Sequence, residues 1–319
     1  GRGRRQQETF DVLVIGGGIT GAAAARDAVG RGLKVALVEK GDFASGTSSK
    51  SSKLIHGGLR YLENLEFGSV FEALTERSFL LKSSPHLVRP IPFYFPVYES
   101  HEHGMFSMSA GMWLYDSLSL FRSPGSHKKI SKKKLLQDLP DLSQKGLKGG
   151  FTYYDAKMWD DLLVVETARS ASEEGACVVN YVEAMKPIWE DFGVGGFNCR
   201  DSQSGAEFEV RAKRVVLCLG PWVDLFGDRS FESWKPWLQP SKGVHLVFDL
   251  EKLNVPGAVV MTHPTDGRIS FAIPRAANLS RDPTHHVNPR NEHRPIDSPR
   301  TAQGCGPARS VLELTQPGR

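Results

Sequence analysis

The chain has 319 residues, of which 40% are hydrophobic and 24% are charged. This composition excludes a wholly disordered chain, a fibrous repeat and a disulfide scaffold. The formal net charge is only +4 at pH 7, and Lys and Arg are scattered among Asp and Glu, so no nucleic-acid partner is expected. No apolar run reaches the roughly 18 residues that a membrane-spanning helix needs. The sequence therefore favours a soluble or membrane-peripheral protein.

The cysteines form neither a CxxC pair nor a regular spacing; they are Cys177, Cys199, Cys218 and Cys305. Zinc sites and secreted disulfide domains both need more ordered spacings than this. The arrangement favours free thiols in a reducing compartment, and no metal is expected.

The first organised part of the chain is a strand, a helix and a second strand. Residues 1–8 lack the apolar centre of a signal peptide and are expected to form a flexible tail. Residues 10–15 form a nearly continuous apolar run, which is typical of a parallel strand buried on both faces. An alanine-rich helix is predicted over 19–31, ended by Gly32, and a second strand over 35–39. This order predicts a βαβ unit.

The next region alternates between loops and single elements. Residues 41–53 are rich in Ser, Thr and Gly and predict a loop, and apolar residues spaced at helical intervals predict a helix that closes before Pro85. A strand is predicted over 93–98, broken by Pro96. Residues 104–121 predict a cap helix. The basic run 127–134 that follows has two interpretations, a solvated helix start or a contact with anionic lipid.

Later segments predict a return to the first sheet and then a second sheet. A helix is expected over 161–175 and a strand over 177–182. Alternation in 208–212 leads into a second buried-strand pattern at 215–219. Strand-like alternation in 243–250 and in 259–273 is consistent with an antiparallel sheet in a substrate domain.

The character of the chain changes after Arg275. Residues 276–319 hold six Pro, six Arg and three His, with no aromatic residue. Such a segment buries too little apolar surface to offset its ordering entropy. We expect a disordered tail there, and our hypothesis is that it arises from a shifted reading frame or an artificial junction.

A glycine-rich turn carries the first chemical prediction. Residues 16–21 (GGGITG) fit G-x-G-x-x-G directly after a strand and at the start of a helix, where Gly16, Gly18 and Gly21 permit a tight turn close to a pyrophosphate. Glu39, at the end of the second strand, can accept hydrogen bonds from a ribose diol. An acidic residue at this place favours FAD or NAD over NADP.

Residues 42–63 decide between these cofactors. They read DFASGTSSKSSKLIHGGLRYLE, a segment that resembles FAD-dependent glycerol-3-phosphate dehydrogenases of the aerobic or respiratory type. Five further segments carry the same resemblance: 72–77 (EALTER), 149–156 (GGFTYYDA), 220–224 (GPWVD), 242–245 (KGVH) and 269–274 (ISFAIP). Together they cover about residues 9 to 275.

The resemblance implies a fold, a cofactor and a reaction. The fold class is α/β, with a Rossmann-like FAD-binding domain of the glutathione-reductase and glycine-oxidase type and an inserted antiparallel-sheet substrate domain. FAD would accept a hydride as glycerol 3-phosphate is oxidised to dihydroxyacetone phosphate, and the electrons would pass to a quinone. Peripheral membrane contact is implied, with a homodimer left open. The location would be the cytoplasmic face of a bacterial inner membrane or the cytoplasm, with the mitochondrial inner membrane as the alternative.

The expected domain boundaries follow from these segments. The FAD-binding domain is predicted over 9–95 and 150–232, and the substrate or cap domain over 96–149 and 233–275.

Candidate site residues come from the same comparison. The resemblance places Arg60 and Tyr61 at the substrate site, where a planar guanidinium suits a phosphate. His245, in the matching Lys-Gly-x-His context, is the candidate base for the substrate hydroxyl, since imidazole titrates near neutrality. The expected cofactor contacts are Gly16, Gly18, Gly21, Glu39, Thr47, Ser48, Ser49, Lys53, Leu54, His56, Gly57, Gly58, Val182, Gly220 and Trp222.

The chain also departs from the family pattern. Residues 217–219 are Leu-Cys-Leu where the family usually has Asn-Ala-Thr, and Leu162 stands where an Arg is common. The segments that follow Pro274 in the family are not recognisable, so the chain resembles a family member truncated or frame-shifted after about residue 275. Two alternatives therefore stay open: a non-catalytic flavin-binding remnant, and an amine or amino-acid oxidase of the same fold.

Overall fold

The computed structural model describes residues 9–58, 62, 64–101, 104–120, 122–191, 193–241, 243–249, 255–262, 269–275 and 309–314. The chain divides into two compact units. Unit 1 takes the described parts of Gly1–Leu54, His86–Val88 and Met158–Pro240. Unit 2 takes those of Ile55–Pro85, Arg89–Lys157 and Ser241–Arg319.

Strands and helices are numbered in chain order within the described residues. The strands are β1 (Phe10–Ile15), β2 (Val35–Val38), β3 (Leu54–Ile55), β4 (Val88–Tyr98), β5 (Lys128–Ser131), β6 (Leu147–Met158), β7 (Cys177–Val179), β8 (Val182–Glu190), β9 (Gly193–Asp201), β10 (Glu207–Leu217), β11 (Val244–Asp249), β12 (Ala258–Thr262), β13 (Ile269–Pro274) and β14 (Arg309–Leu314). The helices are α1 (Ile19–Gly30), α2 (Phe67–Ser83), α3 (Met105–Leu118), α4 (Lys132–Asp138), α5 (Asp160–Glu173) and α6 (Val223–Ser230). None of these helices is both long enough and apolar enough to cross a membrane.

Unit 1 is built on a mixed sheet with the strand order β7-β2-β1-β10-β9-β8. β1 pairs in parallel with β2 and with β10, so that Ile15 lies opposite both Val38 and Leu217. β8, β9 and the first half of β10 are antiparallel. The carboxyl ends of β1, β2 and β10 therefore meet at one edge, where open α/β sheets bind ligands.

Both faces of β1 are buried, as its apolar run predicts. Leu13 packs with Phe197 and Phe226 on one face, whereas Val14 packs with Ala25 and Val29 of α1 on the other. Both strand residues are 0% exposed, and burying such a side chain contributes about 1.5–3 kcal/mol. The predicted βαβ unit and the α/β class are confirmed.

Unit 2 contains a second mixed sheet with the order β11-β14-β13-β12-β4-β6-β3, and β5 pairs with β6. β12 and β13 are antiparallel, with Val259 opposite Ala272, as the alternation predicts. The sheet is not antiparallel throughout, because β12 pairs in parallel with β4. Its core includes Leu135 and Leu147.

Three local predictions differ from the structure. β4 runs unbroken through Pro96, because the prolines at 90, 92 and 96 occupy alternate positions and remove donors from one strand edge only. The strand predicted over 177–182 is two strands, since Tyr181 has a φ of +58° and turns the chain. Val182 therefore begins β8 instead of ending a strand.

The unit boundaries also differ from the predicted domains. Residues 55–85, 89–95 and 150–157 belong to unit 2, because β4 and β6 lie in its sheet. Residues 233–240 belong to unit 1, where Trp234 Nε1 donates to Asp224 Oδ1 at 2.9 Å. The predicted flexible tail 1–8 lies outside the described residues.

The segment predicted to be disordered contains one described strand. β14 pairs with both β11 and β13, with His245 opposite Glu313 and Ala272 opposite Leu312. Its residues 309–314 (RSVLEL) contain the branched apolar side chains that suit a strand. A neighbouring strand on each side supplies the hydrogen bonds that a short isolated strand lacks.

The three described cysteines are free thiols in different environments. Cys177 is exposed, whereas burial raises the pKa of Cys199 from its ordinary 9.0 to about 11. Unfolding exposes this thiol and lowers its pKa, so its contribution to stability is lost as pH rises from about 9 towards 11.

We expect iodoacetamide at mildly alkaline pH to alkylate Cys177 first and Cys199 about a hundredfold more slowly, because only the thiolate reacts. Peptide mass spectrometry of timed samples measures both rates. Alkylation in denaturing guanidinium is the control, where the two rates should converge. Equal rates in the folded chain would contradict the expected burial of Cys199.

Candidate functional site

The turn between β1 and α1 is closed to side chains. Gly16 has a φ of +113°, and a Cβ at this position would lie 2.4 Å from the Cys218 carbonyl oxygen. A Cβ at Gly21 would lie 1.8 Å from the Gly16 carbonyl oxygen. The glycines therefore let α1 begin directly against β1 and β10, where the partial positive charge of its N-terminus favours a bound anion.

Glu39 lies directly after β2, beside this turn. Its carboxylate accepts hydrogen bonds from Gly17 N–H at 2.6 Å and from Gly41 N–H at 2.8 Å, one on each oxygen. A carboxylate oxygen accepts more than one hydrogen bond, so both oxygens can still receive ribose hydroxyls. The backbone contacts fix the carboxylate beside the glycine turn.

The Ser and Thr segment makes a short 3₁₀ turn over Thr47–Ser49. Ser48 Oγ accepts from the Ile19 N–H at 3.0 Å, so it caps the first turn of α1. Ser49 Oγ instead donates to the Gly46 carbonyl oxygen at 3.3 Å. The three hydroxyls therefore have different surroundings.

A cavity of about 670 Å³ opens at this edge of the unit 1 sheet. Eight of the predicted cofactor residues line it: Gly16, Gly18, Glu39, Thr47, Ser48, Val182, Gly220 and Trp222. The volume lies within the roughly 300–1,000 Å³ typical of cofactor sites. Backbone N–H groups, hydroxyls and one carboxylate in one cavity fit the pyrophosphate and ribose of a dinucleotide such as FAD.

The cavity wall includes residues that the sequence analysis did not predict, among them Arg229, Glu183 and Phe226. Arg229, at the end of α6, lies 2.9 Å from Glu183 Oε1 and stacks over the Phe226 ring at 5.6 Å. All three residues line the cavity. Glu183 precedes Arg229 by 46 residues in the sequence, and no sequence motif connects Glu183 with Phe226 and Arg229.

The remaining predicted contacts in unit 1 do not line this cavity. Gly21 packs under the turn. Lys53 has a φ of +57°, and its ammonium group forms an ion pair with Asp160. Asp160 also accepts from Ser51 Oγ at 2.7 Å. Leu54 is buried. The Lys53 side chain is therefore committed to holding its own loop.

His56, Gly57 and Gly58 belong to unit 2. His56 is exposed, and Gly58 has a φ of +66°. The Gly57 N–H donates to Tyr115 Oη at 2.9 Å. A Cβ at Gly57 would lie 2.3 Å from Leu74 Cδ2, so this backbone passes directly over buried side chains.

Tyr115 belongs to a cluster of three buried polar side chains that the sequence did not predict. The other two members are Arg77 and Asp155. Arg77 and Asp155 form an ion pair and are 0% and 2% exposed. Burial raises the pKa of Asp155, which the Arg77 guanidinium opposes. Burial also raises the pKa of Tyr115, whose protonated hydroxyl donates to Asp155 Oδ1 at 2.8 Å. Arg77 lies in the segment 72–77 and Asp155 in the segment 149–156, but the sequence analysis gave neither residue a role.

One of the three predicted catalytic residues, His245, belongs to the described part of the chain. Arg60 and Tyr61 lie outside the described residues. His245 is half-buried on β11 in unit 2. Among the described residues no group of three or more His, Cys, Asp or Glu side chains is placed to hold a metal ion.

Comparisons with known proteins show the family to which the chain belongs. A family model described as DAO, FAD dependent oxidoreductase, matches residues 11–313. The aerobic glycerol-3-phosphate dehydrogenase of Staphylococcus aureus (strain MRSA252) is 39% identical over 271 residues, which are 85% of this chain and 49% of that protein. The chain thus spans about half the length of this curated relative.

Solved structures give the same fold. A glycerol-3-phosphate dehydrogenase from Bacillus halodurans, complexed with FAD, has a TM-score of 0.66 and 33% identity over 84% of this chain and 46% of that one. The L-proline dehydrogenase from P. horikoshii has a TM-score of 0.62 at 17% identity, over 84% and 70% of the two chains, and supports the fold alone. With the family match covering most of its length and the dinucleotide cavity in place, the chain belongs to the DAO family of FAD-dependent oxidoreductases.

Proposed function

We propose that this protein is an FAD-dependent glycerol-3-phosphate dehydrogenase, which oxidises glycerol 3-phosphate to dihydroxyacetone phosphate and passes the electrons to a quinone. The observation that carries the proposal is the unit 1 cavity, which gathers eight expected cofactor contacts at one sheet edge. The substrate is supported by the 39% identity to an enzyme of that name. Peripheral membrane contact and a homodimer belong to the same proposal.

The cavity residues have separate roles in holding FAD. The N-terminus of α1 and the glycine turn receive the pyrophosphate, while Thr47 and Ser48 offer hydroxyls to its oxygens. Glu39 receives the ribose hydroxyls. The Val182 backbone contacts the adenine, and the loop with Gly220 and Trp222 approaches the cofactor. When bound, FAD supplies a hydride acceptor.

The segment 53–58 contributes chiefly through its backbone. The Lys53 ammonium group is held by Asp160, and Gly57 and Gly58 have no side chain to offer. A main chain without Cβ atoms can pass close to a flat ring system. We therefore assign Lys53, Leu54, His56, Gly57 and Gly58 to the flavin end of the cofactor.

Substrate chemistry falls to three other residues. Arg60 binds the phosphate with its planar fork, and Tyr61 lies beside it in the sequence. His245 accepts the proton of the secondary hydroxyl while the hydride leaves the same carbon. Loss of both the proton and the hydride converts the alcohol to a ketone.

The test is the visible absorbance spectrum of the purified chain, loaded with FAD, before and after glycerol 3-phosphate is added without oxygen. We expect a flavin band that bleaches on addition. The His245→Asn variant should keep the flavin band, but the band should bleach at least about a hundredfold more slowly, because the variant lacks the base. Glycerol, which has no phosphate, is the matched control compound and should leave the band unchanged.

The alternatives give different spectra. A yellow chain that no substrate bleaches would indicate a flavin-binding remnant. Bleaching by D-amino acids instead of glycerol 3-phosphate would indicate an amino-acid oxidase. A chain that cannot be loaded with FAD would overturn the proposal.

A further inference from the structure

The backbone of Gly57 is held by buried side chains from two distant elements of unit 2. Its N–H donates to Tyr115 Oη of α3 at 2.9 Å and lies 3.4 Å from Asp155 Oδ1 of β6. Tyr115 Oη donates to the same carboxylate oxygen at 2.8 Å. One backbone N–H, one hydroxyl and one carboxylate oxygen therefore form a closed triangle.

Arg77 of α2 contacts the carboxylate corner of this triangle. Its guanidinium contacts Asp155, donates to the Tyr154 carbonyl oxygen at 3.0 Å and bonds Ser123 Oγ. The Arg77 side chain also lies 5.9 Å from the centre of the Tyr115 ring. The Asp155 carboxylate is thus held by Arg77 as well as by the Tyr115 hydroxyl.

Stability alone does not account for this cluster. A buried ion pair often contributes no more to stability than apolar side chains of the same volume, because both charges lose their hydration. What apolar side chains cannot do is accept a hydrogen bond from a particular backbone N–H. The cluster can therefore fix the position of the Gly57 backbone, which apolar side chains could not do.

Gly57 lies between two groups of predicted site residues in the sequence. It follows the Lys53 loop and comes three residues before Arg60. The proposed function assigns the segment 56–58 to the flavin and Arg60 to the substrate phosphate. A shift of the Gly57 backbone would therefore displace its neighbours His56 and Gly58, which the proposed function assigns to the flavin.

We propose that Arg77, Tyr115 and Asp155 are positioning residues, which fix the backbone of 56–58 for contact with the flavin. The inference rests on the proposed function for the role of that segment. The hydrogen bonds to Gly57 can be tested without it.

The experiment compares Tyr115→Phe with the unaltered full chain. The variant keeps the buried ring and removes the oxygen that accepts from Gly57. We expect the Gly57 amide to exchange hydrogen about tenfold faster, the factor that loss of one ordinary hydrogen bond supports. In the FAD-loaded variant the flavin band should also change position or shape, which a loss of stability alone would not cause.

Asp116→Asn is the matched control. Asp116 is a buried carboxylate of α3 beside Tyr115, its Oδ2 lies 2.8 Å from His127 Nδ1, and the described contacts do not join it to Gly57. This variant should leave the Gly57 exchange rate and the flavin band unchanged. If Tyr115→Phe does not fold, Ser123→Ala replaces it, and about a twofold faster exchange is expected from the loss of one Arg77 partner.

Gly57 exchange at the unaltered rate in the folded variant overturns the inference, as does an equal increase in Asp116→Asn. If the unaltered chain binds no FAD, the proposed function fails. The exchange rates then still decide whether the cluster positions Gly57.

Discussion

Gly21→Ala is expected to weaken FAD binding by about 10- to 100-fold, the equivalent of an overpacking cost of about 1–3 kcal/mol. The new Cβ would lie 1.8 Å from the Gly16 carbonyl oxygen and 3.3 Å from Cys218 Cβ. Neither the turn nor β10 can move away without displacing the cavity wall. Titration of the chain with FAD, followed by quenching of flavin fluorescence, measures the affinity.

Gly30→Ala in the same helix is the matched control. The nearest atom to its new Cβ is Glu174 Oε2 at 3.3 Å, the end of a side chain that can rotate away. This variant should bind FAD with the affinity of the unaltered chain. Equal affinities for all three proteins would mean that the turn does not hold the cofactor.

Arg77→Met is expected to lower the free energy of unfolding by about 3–5 kcal/mol, because it leaves the Asp155 carboxylate buried without its cation. The carboxylate would then lose its ion-pair partner while keeping the bond from Tyr115. Urea unfolding followed by circular dichroism measures the change. Adding Asp155→Asn to the variant should recover part of the loss, since it removes the unpaired charge.

Arg169→Met supplies the comparison for an exposed pair. Arg169 contacts two carboxylates, Glu166 at 2.6 Å and Glu173 at 2.8 Å, but its side chain is 61% exposed. Water replaces such contacts, so the variant should unfold at nearly the same urea concentration as the unaltered chain. A loss no larger for Arg77→Met than for Arg169→Met would refute the buried role of Arg77.

The elements that sequence predicted well are those whose pattern is local. β1, α1 and β2 follow one another within thirty residues, and each shows its own hydrophobic period. The glycine turn and Glu39 lie within the same stretch, so the part of the cavity wall that they form could be predicted from a local pattern. The hairpin of β8 and β9 was not, because glycines at 193, 195 and 196 interrupt its alternation.

The parts that sequence did not predict depend on distant contacts. Arg77, Tyr115 and Asp155 are separated by 38 to 78 residues, and nothing in their local patterns indicates that they meet. β14 lies in a segment whose composition predicts disorder, and its two partner strands are what give it a place in the sheet. Arg229 lies beside Glu183 only because the fold brings α6 next to β8.

The pairing of β1 has a consequence for how this protein is made. Phe10 pairs with Ala212, and Ile15 with Leu217, although the other neighbour, β2, lies only about twenty residues away. At about 5–20 residues per second, a ribosome needs on the order of 10–40 seconds to deliver β10 after β1 has emerged. During that interval one edge of an apolar strand has no partner. Chaperone binding to the nascent N-terminal segment would protect that edge, and the FAD cavity cannot form until synthesis has passed Leu217.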